Sequence, residues 1–564
     1  MEGEMLKKIV WFLVFSGILF ALPHGVEDAI RHSGLPKKDI SLIIKEAGNS
    51  TDTLAKLNES AVRKPASVIK VLTLYAALLE FGFDHRWRTE FYRNGPIRNG
   101  VLEGDLIIKG YGDPTLSSRD LPQIAKALHA KGISKITGHI VIDRSYFRVG
   151  AENSSHFDEH PYSPYNAMPD AMMYDERVSI ICINPKSGKI TKKGADGSYK
   201  VIDQLKKVNQ PCRGKYSWVG AKVDPASINP KVILRGKISK QCGERKICKV
   251  VTKPYLSFYY ALKEALRDEG IEAKGTMRLQ KLPQNAVPLT VHFSKPFEEI
   301  LAKTAKKSNN LYARHFLLYL GAKRYGAPAT LEKGRRAIVE ILREHGAIGN
   351  DILMIDNGSG LSRKAKLNAE ILSDMLDHAY ERYAERWMDI LSVAGVDGTI
   401  KKRFRGTVVK NRAWMKTGTL NRVKNIAGYV KNKHGKLYTV VILVNTNKGR
   451  WKASQLQNEI ITWLVKHKTA GYNTTAPTEK KKVIEVEAHP TIVEHYYVQA
   501  GSFDHAPEKF YLLQLEKLDL PYKVRFSDRY RVLVGPYADK DYAARTLQKV
   551  KKHINKGAFL LKDE

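Results

Sequence analysis

Ser67 and Lys70 stand three residues apart in Lys64-Pro65-Ala66-Ser67-Val68-Ile69-Lys70, at the entry to a Leu- and Ala-rich stretch. Near a helix start that spacing projects both side chains from one face, within reach of each other. A Ser hydroxyl is a weak nucleophile at neutral pH. A neighbouring Lys activates it only if burial and other cations depress the amine's pKa enough to leave it neutral part of the time. Val68, Ile69, Val71 and Leu72 can supply the burial, and Ser67 is the only Ser in the chain with Lys at the third position beyond it. Taken alone, the pattern also fits a solvated Lys near a helix cap.

Two further fragments follow in the order that acyl transfer wants. Ser308-Asn309-Asn310 offers a hydroxyl and a carboxamide on a tight turn, which could orient the nucleophile and hold a substrate amide. Lys416-Thr417-Gly418-Thr419 precedes a strand pair; its cation and hydroxyl suit a carboxylate, and Gly lets a peptide approach the backbone closely. Each could be a mere turn. Together, Ser-x-x-Lys, Ser-x-Asn and Lys-Thr-Gly match the signature of penicillin-binding proteins and class A β-lactamases.

The chain resembles more narrowly the D-alanyl-D-alanine carboxypeptidase/endopeptidase family, the class C low-molecular-mass penicillin-binding proteins, over about residues 28–467. The resemblance includes Gly104-Asp105-Leu106 through Gly110-Tyr111-Gly112-Asp113-Pro114, Gly138 to Asp143, Asp356-Asn357-Gly358-Ser359-Gly360-Leu361-Ser362 and Ile426-Ala427-Gly428-Tyr429. The middle of the second motif, often Asp in relatives, is Asn309 here. The resemblance implies that Ser67 attacks the carbonyl of the penultimate D-Ala while Lys70 takes its proton. Ser308 and Lys416 would relay a proton to the leaving amine. Asn310 would bind the acyl side chain, and Thr417 with Lys416 the terminal carboxylate. The N–H groups of Ser67 and Thr419 would form the oxyanion hole, and the strand after Gly418 would receive the peptide as an added strand. It implies no metal and no cofactor, with β-lactam antibiotics as covalent inhibitors.

The elements that must position these residues follow from apolar patterning. Helical texture covers Val68 to Leu79, Phe297 to Gly321 and Ala369 to Tyr383. Strand patterns run Ile426 to Val430 and Leu437 to Val444, with a turn at Lys433-His434-Gly435. Between about Phe83 and Leu289 short β-prone runs alternate with Gly, Pro, Asn and Asp. The expected fold is α/β (α+β), a penicillin-binding/β-lactamase-like serine transpeptidase fold. Its catalytic domain is split over 25–84 and 291–467, around a β-rich insertion at 85–290. That insertion and the tail speak against a β-lactamase; intact Ser67, Lys70, Asn310 and Lys416 speak against a catalytically silent peptidoglycan-binding scaffold.

Residues 468–494 read as a linker, with Gly, Pro, Thr and the Lys480 to Lys482 run. The segment 495–564 resembles a SPOR domain through Tyr496 to Phe503 and Tyr530 to Tyr537. The resemblance implies a ferredoxin-like βαββαβ unit that binds glycan strands stripped of stem peptides, and period-two alternation nominates Gln499, Ser502, Phe503, Arg531 and Tyr537 as contacts.

With 564 residues the chain is long enough for several cores, and its 43% hydrophobic and 27% charged content is ordinary for folded protein. The net charge of +36 is not ordinary; it implies attraction to a polyanion such as nucleic acid, an anionic membrane or an acidic wall polymer. Lys7 and Lys8 before the apolar run Ile9 to Leu22 match a secretory signal, placed at 1–24. Export makes nucleic acid an unsuitable partner and a periplasmic location, with enrichment at the division septum, the expectation. The run is shorter than the roughly 20 residues that span a bilayer, so membrane contact is expected only through an uncleaved signal. Export also favours disulfides among Cys182, Cys212, Cys242 and Cys248, over a zinc site that lacks CxxC or paired His. Three pairings are possible, and Cys242 with Cys248 is the expected bridge.

Overall fold

Leu437–Asn445 is buried almost from end to end, so it needs a packed layer on each side. It forms the middle of a six-stranded antiparallel sheet in the order Ser392–Val393, Ala413–Leu420, Val423–Lys431, Leu437–Asn445, Ile40–Glu46, Thr53–Leu57. The computed structural model describes residues 22–48, 52–149, 157–194, 196–225, 229–351, 353–468 and, with short gaps, 496–562. The signal run before Leu22 and the linker lie outside the described residues, apart from their last or first few positions. The chain divides into two compact units, 1–470 and 471–564.

Helices α1 (His24–Ser33) and α9 (Arg450–Lys466) cover one face of the six-stranded sheet, through Val26, Ile30, Leu456, Ile460 and Leu464. On the other face lies α2 (Lys70–Phe81), whose Leu- and Ala-rich sequence is apolar nearly all round and is buried accordingly. Gly82, at φ 74°, ends it. The insertion adds α3 (Leu121–His129) and α4 (Pro254–Asp268). The second half of the core supplies α5 (Phe297–Lys307), α6 (Asn310–Tyr325), α7 (Leu331–Glu344) and α8 (Ala369–Met388). The helical texture expected through Phe297 to Gly321 is thus two helices. They break at Ser308, which caps α5 in the left-handed region, and Asn309, whose side chain accepts from Tyr312 N to cap α6.

The insertion enters on strand Arg88–Asn94 and leaves on Val287–Phe293, and these two strands pair antiparallel. They belong to a five-stranded sheet with α3 and α4 packed on it. Two three-stranded sheets form a separate small sandwich: Ile190–Lys192, Ser179–Ile183, Arg245–Lys249 in one, and Lys200–Val208, Lys231–Ser239, Gly220–Asp224 in the other. Here the expected disulfide is corrected. Cys242 bonds Cys212, with Cα atoms 5.1 Å apart. Both lie in loops that follow the parallel strands Lys200–Val208 and Lys231–Ser239, which bring them together. Cys248 is carried away in strand Arg245–Lys249, opposite Ile180, and stays free, as does Cys182.

The last unit is a four-stranded antiparallel sheet in the order Tyr522–Phe526, Tyr530–Tyr537, Tyr496–Phe503, Phe559–Lys562, with α10 (Lys540–His553) packed on it. That is the ferredoxin-like order. The helix expected near Glu508 to Leu518 is only partly within the described residues.

Candidate active site

A single-turn helix, Ala66–Ile69, runs straight into α2 and carries Ser67 at the start of a buried helix. Ala66 sits at φ 49°, a left-handed value that costs a non-Gly residue of order 1 kcal/mol. Gly360 makes room for it: a Cβ there would lie 1.9 Å from the Ala66 carbonyl oxygen. Lys70 is fully buried. Its Nζ donates to Ser67 Oγ at 3.0 Å, to Asn310 Oδ1 at 2.7 Å and to the Ser359 carbonyl oxygen. Burial first, then the nearby cations Lys416 and Arg314, push the Lys70 amine well below its ordinary value. This is the depression that a Lys base requires.

The second motif approaches from the α5–α6 break. Ser308 Oγ accepts from Lys416 Nζ at 2.8 Å, and Asn310 Nδ2 donates to the Tyr165 carbonyl oxygen at 3.0 Å. Asn309 Nδ2 instead donates to Glu176 Oε2 at 3.0 Å, and Glu176 Oε1 also accepts from Lys303 and Tyr312. The middle residue therefore braces the turn from outside the reacting centre.

The third motif lies on Ala413–Leu420. Lys416 is fully buried, and desolvation pulls its amine down to about 7. Ser392–Val393 pairs with Met415 and Trp414, so among the described residues Lys416 to Leu420 keep one edge without a strand partner while the other edge pairs with Val423–Lys431. Gly418 passes close to the nucleophile: a Cβ on it would lie 2.8 Å from the Pro65 carbonyl oxygen and 3.0 Å from Ser67 N. Thr417 Oγ1 donates to Thr399 Oγ1 at 2.8 Å, and Thr419 Oγ1 accepts from Lys424 Nζ at 3.2 Å. Ser67, Lys70, Ser308, Asn310, Lys416 and Gly418 are thus brought to one place from three segments, with 240 residues between Lys70 and Asn310 and 108 between Ser308 and Lys416. Sequence reasoning gave no role to the Ser359 carbonyl, Tyr165, Arg314 or Glu176. Only Ser359 had a signal, because it lies in the quoted Asp356 to Ser362 segment.

Of the residues nominated in the tail, three share a face. Ser502 lies opposite Arg531 and Gln499 opposite Leu533, with an irregularity between Gln499 and Gly501 that keeps Gln499 and Ser502 on the same side. Phe503 and Tyr537 are partly buried against the core of this unit, where Phe503 meets Tyr511 edge-on at 4.8 Å.

A serine-and-two-lysine centre beside an open strand edge, on a six-stranded sheet with helices on both faces, defines the penicillin-recognising class. Within it, residues 22–467 match the D-Ala-D-Ala carboxypeptidase 3 (S13) family, and the chain belongs to that family. Residues 493–562 match the SPOR domain. The chain is 29% identical over 406 residues to D-alanyl-D-alanine carboxypeptidase DacB of Haemophilus influenzae, covering 70% of this chain and 83% of that one. It is also 29% identical over 393 residues to a D-alanyl-D-alanine carboxypeptidase of an Actinomadura species, covering 66% and 72%. The crystal structure of penicillin binding protein 4 from Haemophilus influenzae superposes with a TM-score of 0.66 at 26% identity, over 78% of this chain and 99% of that one. That protein has also been solved in complex with a β-lactam. Among the described residues no helix is long and apolar enough to cross a membrane.

Proposed function

We propose that the chain is a serine-type D-Ala-D-Ala carboxypeptidase and DD-endopeptidase of the periplasm. The observation that carries the reading is the shared network: Lys70 hydrogen-bonded to Ser67 and Asn310, and Lys416 to Ser308, beside an unpaired strand edge. Neutral Lys70 accepts the proton of Ser67 as Oγ attacks the carbonyl carbon of the penultimate D-Ala. The N–H groups of Ser67 and Thr419 hold the oxyanion. Collapse breaks the peptide bond, and the leaving amine takes its proton through Ser308 and Lys416. Water then cleaves the ester and restores Ser67. When the leaving amine belongs to terminal D-Ala the reaction is a carboxypeptidase step; when it is the cross-linking amine of a second stem peptide, it is an endopeptidase step. The peptide lies as an added strand along Lys416 to Leu420, with Asn310 on the acyl side and Lys416 and Thr417 on the terminal carboxylate.

The tail is proposed to hold glycan strands stripped of stem peptides, through Gln499, Ser502 and Arg531, and so to enrich the enzyme at the division septum. A SPOR match and one shared strand face support this part.

The test is intact mass after a benzylpenicillin pulse, alongside Ser67→Ala, followed by incubation with cross-linked muropeptides. The expected result is a persistent adduct absent from the variant, with D-Ala released and dimers separated. Rapid penicillin turnover without muropeptide cleavage would indicate a β-lactamase, and neither adduct nor cleavage would indicate a scaffold.

A further inference from the structure

The small sandwich in the insertion carries a charge imbalance that the chemistry at Ser67 does not use. Between Ser179 and Val251, fourteen Lys and three Arg stand against three Asp and one Glu. Strand alternation sorts these charges onto one side of the sheet Lys200–Val208, Lys231–Ser239, Gly220–Asp224. Its inner face turns Val232 and Leu234, with Val201, Leu205 and Ala221, onto Ile181 and Ile183 of the facing sheet, and Tyr199, just before Lys200, packs into the same cluster. On the outer face Lys200 lies opposite Lys231 and Lys206 opposite Lys237, while Gln204 faces Arg235. The third strand adds Lys222 beside Ile233 and Asp224 beside Lys231. Six cations and one carboxylate therefore share a face, and five of the six cations are exposed, Lys231 being partly so.

An aromatic ring completes it. Trp218 is 62% exposed. Its ring lies 3.6 Å from where a Cβ on Gly220 would stand, and Gly220 pairs with Arg235, so the indole sits on the same outer face.

Like charges placed directly opposite one another weaken a sheet. The Lys200/Lys231 and Lys206/Lys237 pairs do this twice, and Cys212–Cys242 ties together the loops just beyond them. A bound polyanion would reverse the sign of that interaction. We propose that this face binds peptidoglycan whose stem peptides are still attached: the cations take the stem carboxylates, and Trp218 stacks on a sugar ring. Charge complementarity selects this occupant, because an attached stem peptide carries several carboxylates where stripped glycan keeps only the lactyl one that is freed when the amide is cut. A bilayer would call for more apolar surface than Ile202, Ile233 and Trp218 offer among six cations. The inference rests on the wall being the substrate. It gives the catalytic unit its own hold on peptide-bearing strands, distinct from the tail's hold on stripped ones.

The test uses the full chain, co-sedimented with purified sacculi before and after limited amidase digestion, which strips stem peptides from part of the glycan while leaving enough cross-links to pellet the wall. The variants are Lys206→Glu/Arg235→Glu/Lys237→Glu and, separately, Trp218→Ala. The triple variant is expected to bind intact sacculi about tenfold more weakly at low salt, a sum of three modest exposed interactions. The difference should vanish near 1 M salt, where the screening length is about 3 Å. Trp218→Ala should weaken binding in a way that salt does not abolish. On stripped glycan the triple variant should lose clearly less, because most of the carboxylates are gone, whereas Trp218→Ala should lose about as much, because the sugar rings remain. Unchanged binding to intact sacculi would overturn the proposal, as would an equal loss by the triple variant on stripped ones. A loss confined to vesicles containing phosphatidylglycerol would overturn it in favour of a membrane-facing surface. Benzylpenicillin acylation, measured on the same samples, reports separately on Ser67: no adduct together with weakened sacculus binding would retire the enzymatic reading and leave this face standing.

Discussion

Lys70 donates to the carboxamide oxygen of Asn310 at 2.7 Å, and the same Nζ donates to Ser67 Oγ at 3.0 Å. One amine therefore couples the nucleophile to the second motif. With a third bond to the Ser359 carbonyl oxygen, its donors are all engaged as an ammonium. Losing a proton, it can reverse the bond to Ser67 and become the acceptor while the other two hold it in place.

Asn310→Asp places a carboxylate against Lys70 and raises its pKa, by about 1–3 units on typical carboxylate contacts. Penicillin acylation at pH 7 should then fall by about tenfold or more and recover as pH rises. Asn310→Ala should lower acylation without moving the acid limb upward. Stopped-flow acylation rates from about pH 5 to 10 distinguish the two; a limb that stays put in Asn310→Asp would show that Lys70 is not the base.

Lys416 titrates at about 7 in the folded protein against an ordinary 10.5. Its charged form, which suits a substrate carboxylate, is lost as pH rises through about 7, so kcat/KM for a free D-Ala-D-Ala terminus should fall there. A substrate with an amidated terminus should lack that limb. The shift also enters stability. Between about pH 7 and 10.5 the unfolded chain binds a proton at Lys416 that the folded chain does not, so folded stability rises with pH across that window. Relative to Lys416→Met, the wild-type protein should gain roughly 4 kcal/mol between pH 7 and 10.5. Urea unfolding of both at the two ends of that window measures the difference.

Gly418→Ala should leave the fold intact but cut penicillin acylation about 100-fold or more. The added methyl meets only backbone at Pro65, Ser67 and Val68, which cannot swing aside, so the strand must back away from the nucleophile. Equal acylation in the variant would mean that the close approach is dispensable.

The three motifs were legible because each is a contiguous string in which residue type carries the chemistry. The strand pair after Gly418 was legible too, since Val423–Lys431 and Leu437–Asn445 read as apolar runs split by a His-Gly turn. What stayed hidden was held by backbone or by distance. The Ser359 carbonyl acts through an atom every residue has, and Glu176 reaches Asn309 across 133 residues. Helices α3 and α4 escaped because the β-prone runs around them set the reading of the whole insertion, although Leu121, Ile124, Ala125 and Leu128 carry a helical stripe. Cys242 and Cys248 are close in sequence, but an intervening strand start separates them, and the parallel pairing that delivers Cys212 has no local signature.

Arg88–Asn94 and Val287–Phe293 lie side by side, so the insertion begins and ends at almost the same point in space. For the chain that joins α2 to α5, a detour of some two hundred residues behaves like a tight hairpin. The entropy of closing it grows only with the logarithm of its length, about 0.6 kcal/mol per doubling, and the paired strands hold the junction shut. Its small sandwich, residues 179–251, can therefore lengthen, shorten or acquire a new surface while Tyr165 and Glu176, which hold Asn310 and Asn309 from elsewhere in the insertion, stay where they are. This makes it a place where a wall enzyme of this kind can change what it grips while leaving what it cuts alone.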